Sequence, residues 1–293
     1  MKLAAACYPI DWIWGYLGLV EKYDVWVADA ARAGAQLLVF PEYGAMELAG
    51  LAGEAVARDL ARSIQAVSQL LPEYWEMCAV LARRHGVHIL AGSGPWRDGA
   101  RLVNRAMFFG PEGGRQPHDK QMPTARERAP MGLVPGAPLT LMETALGRIG
   151  VLICNDAEDP ALARALVEAG AQVLLIPSQT EAGAGYNRVR LAAMARAVES
   201  QCVTLQAVTQ GDAGWTPVVG ENCGAAGIYA PPGAGFAATG VIACGEMNRP
   251  GWTFGTVDLG AIRRARADRN PRSFAEWTES STSVQCVQTI VLA

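Results

Sequence analysis

The stretch from Gly147 to Ser178, GRIGVLICNDAEDPALARALVEAGAQVLLIPS, carries the alternation that decides the fold class. An apolar run, Ile149 to Cys154, reads as a buried strand, and a short polar turn follows over Asn155 to Asp159. Pro160 then stands where a helix takes its first turn, and Pro160 to Gly170 keeps helical spacing. A second apolar run over Val173 to Ile176 completes a strand, helix, strand unit. Outward from this unit, strand-like runs recur at Leu3 to Cys7, Leu37 to Phe40, His88 to Gly92, Ala106 to Gly110, Cys202 to Val208 and Ala225 to Tyr229. Helical spacing fills Val25 to Ala35, Val56 to His85 and Tyr186 to Glu199, with Pro72 expected to begin a new helix inside the second. Strands alternating with helices predict a layered α/β fold. Thr209 to Gly260 is rich in Gly and Pro and reads as loops and edge strands closing the same domain. The expected division is one domain over 1–268 and a tail over 269–293, whose alternating end SVQCVQTIVLA could pack on a neighbouring subunit or fray.

Composition narrows the partners. The chain has 293 residues, 51% hydrophobic and 18% charged, which is enough apolar material for a sizeable core. Lys and Arg number 25 against 28 Asp and Glu, with no block of like charge, so neither nucleic acid nor an acidic membrane surface is an expected partner. Seven cysteines without a CxxC pair argue against a disulfide framework or a structural zinc, and fit a reducing cytoplasm. The opening MKLAAAC has only four apolar residues between Lys2 and Cys7, too few for a secretory signal. Leu3 to Val20 is interrupted by Pro9, Asp11 and Gly15 and makes a poor membrane span. A soluble cytoplasmic protein is expected.

Three segments could carry chemistry. LLVFPEYG, Leu37 to Gly44, ends an apolar run at Pro41 and delivers Glu42 at the carboxyl end of a strand, where open α/β sheets place function. Glu42 alone could equally begin a surface loop. HDKQMPTARERAPMGLVPG, His118 to Gly136, sets Lys120 seven residues before Glu127 in a proline-rich loop; a lone loop lysine is ordinarily solvated. Cys154, at the strand-to-helix turn of the first stretch, has backbone N–H groups nearby that could stabilise an oxyanion, although most free cysteines are small buried hydrophobes. Together the three form a coherent set. A carboxylate can take the thiol proton and return it to a leaving amine, while an ammonium favours the thiolate and donates to the oxyanion. The three histidines offer no better base and no HExxH metal motif: His85 and His88 diverge at a helix-to-strand junction, and His118 is expected in a loop. A GxGxxA pattern over Gly233, Gly235 and Ala238 follows two prolines and reads as a turn.

This constellation resembles the nitrilase superfamily of carbon-nitrogen hydrolases, whose signature is a Glu after Phe-Pro, a Lys in a loop and a Cys at a strand end. The likeness continues through RALVEAGAQVLLIPS and GAGYNRVRLAAMARAVESQCV. TEAGAGYNRVR is most similar to an amidase-like branch found in some proteins fused to an acetyltransferase, a domain not expected here because the first strand begins at Leu3. The resemblance implies a four-layer α-β-β-α sandwich that pairs through its helices into homodimers or larger homo-oligomers. It implies Glu42 as general base and acid, Cys154 as the nucleophile that forms a thioester, and Lys120 with the backbone N–H of Asn155 as oxyanion donors. Glu127 matches the family's second glutamate, which orients substrate and the attacking water. No cofactor and no metal is implied.

Tyr43, Ser178, Gln179 and Tyr186 are expected to contact substrate, from the segments 43 to 48, 155 to 159 and 178 to 187. The chain departs from the pattern at Asn155, usually aromatic, at Glu158 to Leu162, at Ser200, and after Lys120, where Gln-Met-Pro follows. The pocket is therefore expected to be more polar near Asn155. The function read from these residues is hydrolysis of a small-molecule amide through a Cys thioester. Nitrile hydrolysis is the nearest alternative, and a catalytically silent binding protein of the same fold is the alternative of a different class.

Overall fold

The strand Lys2–Pro9 is apolar on both faces because it lies at the centre of the fold. In the computed structural model, which describes residues 1–233 and 235–267, it pairs in parallel with Leu37–Val39 and, at its end, with Val203–Asp212. Along Lys2 to Cys7 it also pairs antiparallel with Gly251–Thr256. It is thus the seam of one continuous, curled sheet with two arms. One arm runs through Leu37–Val39 and His88–Leu90 to the antiparallel Arg101–Phe109, flanked by Gly94–Asp98 and Arg115–Asp119. The other runs in parallel through Val203–Asp212, Val173–Ser178 and Gly147–Val151 to the antiparallel Met142–Thr144.

Successive side chains of the seam strand enter different cores, as the two-residue period of a strand requires. Leu3, Ala5 and Cys7 join Val39, Leu90, Val151 and Leu175 between the arms. Ala4, Ala6 and Tyr8 join Leu19, Tyr23, Val27, Leu71 and Tyr74 from the helices Tyr16–Arg32 and Leu60–His85. Helices Pro160–Glu168 and Gly183–Ser200 cover the second arm with Ala163, Leu166, Tyr186, Val189 and Ala193. The layers therefore run α-β-β-α. Parallel strands covered on both sides need continuous apolar sequence, which is what Leu3 to Cys7 and Val173 to Ile176 supply. Each leucine so buried contributes about 1.5–3 kcal/mol.

Several expectations are corrected. Leu60–His85 is one unbroken helix with Pro72 inside it. The buried stripe Ile64, Val67, Leu71, Tyr74, Cys78 and Leu81 keeps helical register across the proline, and Pro72 itself is exposed, so packing overrides the break. The first helix begins at Tyr16 instead of near Val25, and Leu19, Tyr23, Val27 and Ala30 form its buried face. His118 is buried in the strand Arg115–Asp119 instead of lying in a loop. Gly251–Thr256 is one of the strands expected within the Gly- and Pro-rich region, paired on one side with Lys2–Pro9. No helix among the described residues is long and apolar enough to cross a membrane. The tail over 269–293 lies outside the described residues.

Candidate active site

Glu42, Gln179 and Cys154 each follow a parallel strand, so the three strands converge on one place at their carboxyl ends. Pro41 ends the first strand, and Tyr43 then adopts a left-handed φ of 56° that turns the chain into the short helix Gly44–Glu47. The turn works because Gly44 and Gly92 touch backbone to backbone: a Cβ on Gly92 would lie 2.8 Å from the Cα of Gly44. Glu47 pins the far side of this turn, accepting from the Tyr8 hydroxyl at 2.8 Å and the Asp11 N–H at 2.8 Å, with Lys22 Nζ at 2.5 Å.

Lys120 directly follows Arg115–Asp119. Asp119 is anchored by Arg105 at 2.6 Å. Beyond it, Asp156 accepts from the N–H groups of Gln121 at 3.1 Å, Met122 at 2.7 Å and Ile153 at 3.1 Å. Burial pushes the Asp156 carboxyl up to about 6, against the pull of those bonds. One carboxylate thus ties the lysine segment to the cysteine turn. Glu127 sits in the helical turn Ala125–Arg128 within a reciprocal cap: it accepts from the Thr124 N–H at 2.7 Å and gives its own N–H to Thr124 Oγ1 at 3.3 Å. Cys154 opens the short helix Cys154–Glu158 at a left-handed φ of 53°, an uncommon geometry for a side chain with a Cβ.

These elements bring Glu42, Tyr43, Asn104, Lys120 and Glu127 into one hydrogen-bonded cluster, with Cys154 joined to it through Gln179. Lys120 Nζ lies 2.7 Å from Glu42 Oε1 and 2.6 Å from Glu127 Oε2. Asn104 Nδ2 donates to Glu42 Oε1 at 2.9 Å and to Glu127 Oε1 at 3.2 Å, and the Tyr43 hydroxyl donates to Glu127 Oε1 at 2.7 Å. The Gln179 peptide spans the remaining gap. Its N–H donates to Glu42 Oε2 at 2.9 Å, and its carbonyl accepts from the Cys154 thiol at 3.5 Å. The thiol is also within hydrogen-bond reach of the Glu42 carboxylate.

The two glutamates differ sharply. Burial pushes Glu42 up to about 7, with Lys120 pulling it down and Glu127 pushing it further up. Burial also acts on Glu127, but Lys120 and the Thr124 and Tyr43 donors outweigh it and hold the carboxyl below its ordinary value. For Lys120, burial works against the ammonium, and the two glutamates more than reverse that, so it stays charged. Burial and the Glu42 charge push the Cys154 thiol well up, with Lys120 opposing. Lys120 thus pulls toward the thiolate, but burial and the Glu42 charge outweigh it, and the thiol is pushed up beside a carboxylate able to take its proton.

Glu42, Tyr43, Lys120, Glu127, Cys154 and Gln179 line an inner cavity of about 50 Å³, closed by Thr124, Arg126, Met131 and Val218. It opens past Thr124, Arg126, Cys154 and Gln179 into an outer cleft of about 360 Å³ that Asn155 and Glu158 border. The Asn155 side chain donates to the Met122 carbonyl at 3.0 Å, so what it offers Cys154 is its backbone. Ser178 and Tyr186 border neither space. Ser178 is buried with its hydroxyl on the Ile176 carbonyl, and the Tyr186 ring packs beneath Gly224. Sequence reasoning missed Asn104 and Asp156. The available signal for Asn104 was an amide inside a strand otherwise apolar at Leu102, Val103 and Ala106 to Phe109.

Comparison with known proteins identifies the family. The carbon-nitrogen hydrolase family model matches residues 2–267. The chain belongs to this family. Among the carbon-nitrogen hydrolases it is similar to Probable hydrolase YhcX of Bacillus subtilis, at 28% identity over 276 residues, covering 94% of this chain and 53% of that protein. It is 32% identical over 201 residues to Nitrilase 3 of Arabidopsis thaliana, covering 64% of this chain and 56% of that protein. The chain spans about half the length of these curated relatives. Other matching proteins carry amidase as well as nitrilase names. The crystal structure of a carbon-nitrogen hydrolase from Helicobacter pylori superposes with a TM-score of 0.78 at 14% identity, covering 98% of each chain. The layered architecture is thus that of the nitrilase superfamily.

Proposed function

We propose that the chain is a small-molecule amidase in which Cys154, Glu42 and Lys120 work as a triad with Glu127 as their anchor. The observation that carries this reading is geometric: the Lys120 ammonium lies between Glu42 and Glu127, and the Gln179 peptide links Glu42 to the Cys154 thiol. A base poised near the working pH can both take and return a proton.

Glu42 Oε1 already accepts from Lys120 and Asn104, so the thiol proton passes to Oε2, the oxygen on the Gln179 side. As it does, Sγ attacks the carboxamide carbon and the carbonyl electron pair moves onto oxygen. An ammonium has three N–H bonds; two of those on Lys120 point at the glutamates, which leaves one for the oxyanion. The Asn155 N–H, in the first turn of a short helix without an intrahelical acceptor, supplies a second donor. When the oxyanion collapses, the C–N bond breaks, nitrogen takes the proton from Glu42, and ammonia or an amine departs from a thioester. Water then gives a proton to Glu42 and adds to the thioester carbon. Collapse of that adduct releases the acid and returns the proton to Cys154.

A cavity of about 50 Å³ holds little more than one or two water-sized groups, so only a small reacting head enters and the remainder of the substrate occupies the cleft. The likeness of TEAGAGYNRVR to an amidase-like branch supports the amide. The second reading, a nitrile, rests on the 32% identity to Nitrilase 3 and uses the same residues: thiol addition gives a thioimidate, a first water adds to it, ammonia leaves to give the thioester, and a second water hydrolyses that. Ammonia release from a panel of short amides, ω-amides, carbamoyl amino acids and nitriles, measured beside Cys154→Ala, tests both. Cys154-dependent release from amides supports the proposal, release from nitriles alone supports the second reading, and silence across the panel moves the weight to a binding role or to a substrate that leaves no ammonia.

A further inference from the structure

We propose that Asn104 is a positioning residue that keeps the two glutamates in separate roles, Glu42 as the carrier of the reaction's proton and Glu127 as a permanently ionised anchor. The inference rests on the triad reading above. Asn104 is fully buried, and both of its amide hydrogens are spent on the site, one on each carboxylate, at 2.9 Å and 3.2 Å. Its Oδ1 has no hydrogen-bond partner among the described residues. The reversed amide would aim that oxygen at two carboxylate oxygens, so the orientation is set by the glutamates and not by the surrounding strand.

Lys120 is the single cation between two carboxylates in a water-poor chamber. The other groups that face Glu42 are the Cys154 thiol and the Tyr43 hydroxyl, with Arg126 on the cavity wall. Glu127 collects donors from Lys120, Asn104, Tyr43 and the Thr124 N–H, whereas Glu42 collects Lys120, Asn104 and the Gln179 N–H. Asn104 therefore does two things at Glu42. It stabilises the ionised form, and it occupies Oε1 so that the proton lands on Oε2, beside the nucleophile. Without it, Glu42 holds its proton to higher pH and can hold it on the wrong oxygen. Asn104 does not line the cavity, so substrate affinity should be spared.

The test compares wild type with Asn104→Leu, which removes both donors at similar volume, and with Asn104→Asp, which keeps the shape and adds an acid. Kcat and KM for the best amide are measured between about pH 5 and 9, together with the pH dependence of Cys154 carbamidomethylation by iodoacetamide, read by peptide mass, which needs no substrate. The expected result is an acid limb moved up by about one pH unit in the Leu variant and further in the Asp variant. Kcat near neutral pH falls roughly 10-fold, recovering partly at higher pH, while KM stays within about three-fold. A limb that stays in place while activity drops evenly at every pH would overturn the proposal, as would a rise in KM at unchanged kcat. If Asn104→Leu fails to fold, Asn104→Asp decides alone. Should wild type turn nothing over while the alkylation limb still moves, the positioning role stands and the amidase reading falls.

Discussion

The unequal surroundings of Glu42 and Glu127 give turnover a defined pH dependence. Glu42 must be ionised to accept the thiol proton, and burial holds it near 7, so kcat/KM should fall as pH drops through that value and level off above it. A profile whose acid limb lies near pH 4.5, the ordinary glutamate value, would remove Glu42 as the base. At Cys154 the left-handed φ of 53° stores strain that a glycine would not feel. Cys154→Gly is expected to unfold at higher urea than Cys154→Ala by about 1 kcal/mol, both being inactive; equal or reversed stability would mean the turn is unstrained. Glu42, Lys120 and Cys154 stood out in the sequence only as a set, and Glu127 only through the family resemblance, because each taken singly also fits a bland reading. Asn104 did not stand out, since its meaning depends on two carboxylates brought from 62 residues earlier and 23 residues later. Ser178 and Tyr186 line neither the cavity nor the cleft for a related reason. They are close to Gln179 in sequence, but the strand and helix on either side turn them into the core.

At the scale of elements, the link through Asp156 carries the most consequence, because one buried carboxylate receives backbone donors from both the lysine segment and the cysteine turn. Asp156→Ala strands three N–H groups and should cost about 3 kcal/mol in chemical denaturation, with kcat reduced because Lys120 loses its register. A variant as stable and active as wild type would show that the two segments hold themselves. Pro72 makes the opposite prediction. It denies its helix one backbone bond at an exposed site, so Pro72→Ala should raise stability by about 1–3 kcal/mol without touching activity, whereas a loss would mean the ring serves packing. Local sequence foretold the continuous apolar strands and the Pro160 helix start, which are decided within a few residues. It did not foretell the fate of Pro72, which depends on a stripe of contacts spanning the whole helix, nor where in the Gly- and Pro-rich region the strand Gly251–Thr256 falls, which is decided by Lys2–Pro9 beside it.

For the whole molecule, the seam strand explains why the active groups meet: both arms of the sheet start from it, and the functional loops leave the arms at the same end. The helix Gly183–Ser200 turns Leu191 and Val198 outward, 61% and 43% exposed, which suits the pairing through helices that the family resemblance implies. Light scattering is expected to give a mass of two chains or more, lowered by Leu191→Asp; a monomeric wild type would remove that expectation. The central claim is that a thioester forms at Cys154. Hydroxylamine intercepts such an acyl-enzyme, converting it to a hydroxamic acid and free thiol whichever step limits turnover. The account predicts hydroxamate that rises with hydroxylamine at the expense of free acid in wild type and is absent in Cys154→Ala. Turnover that yields only free acid in the presence of hydroxylamine and persists in Cys154→Ala would contradict it.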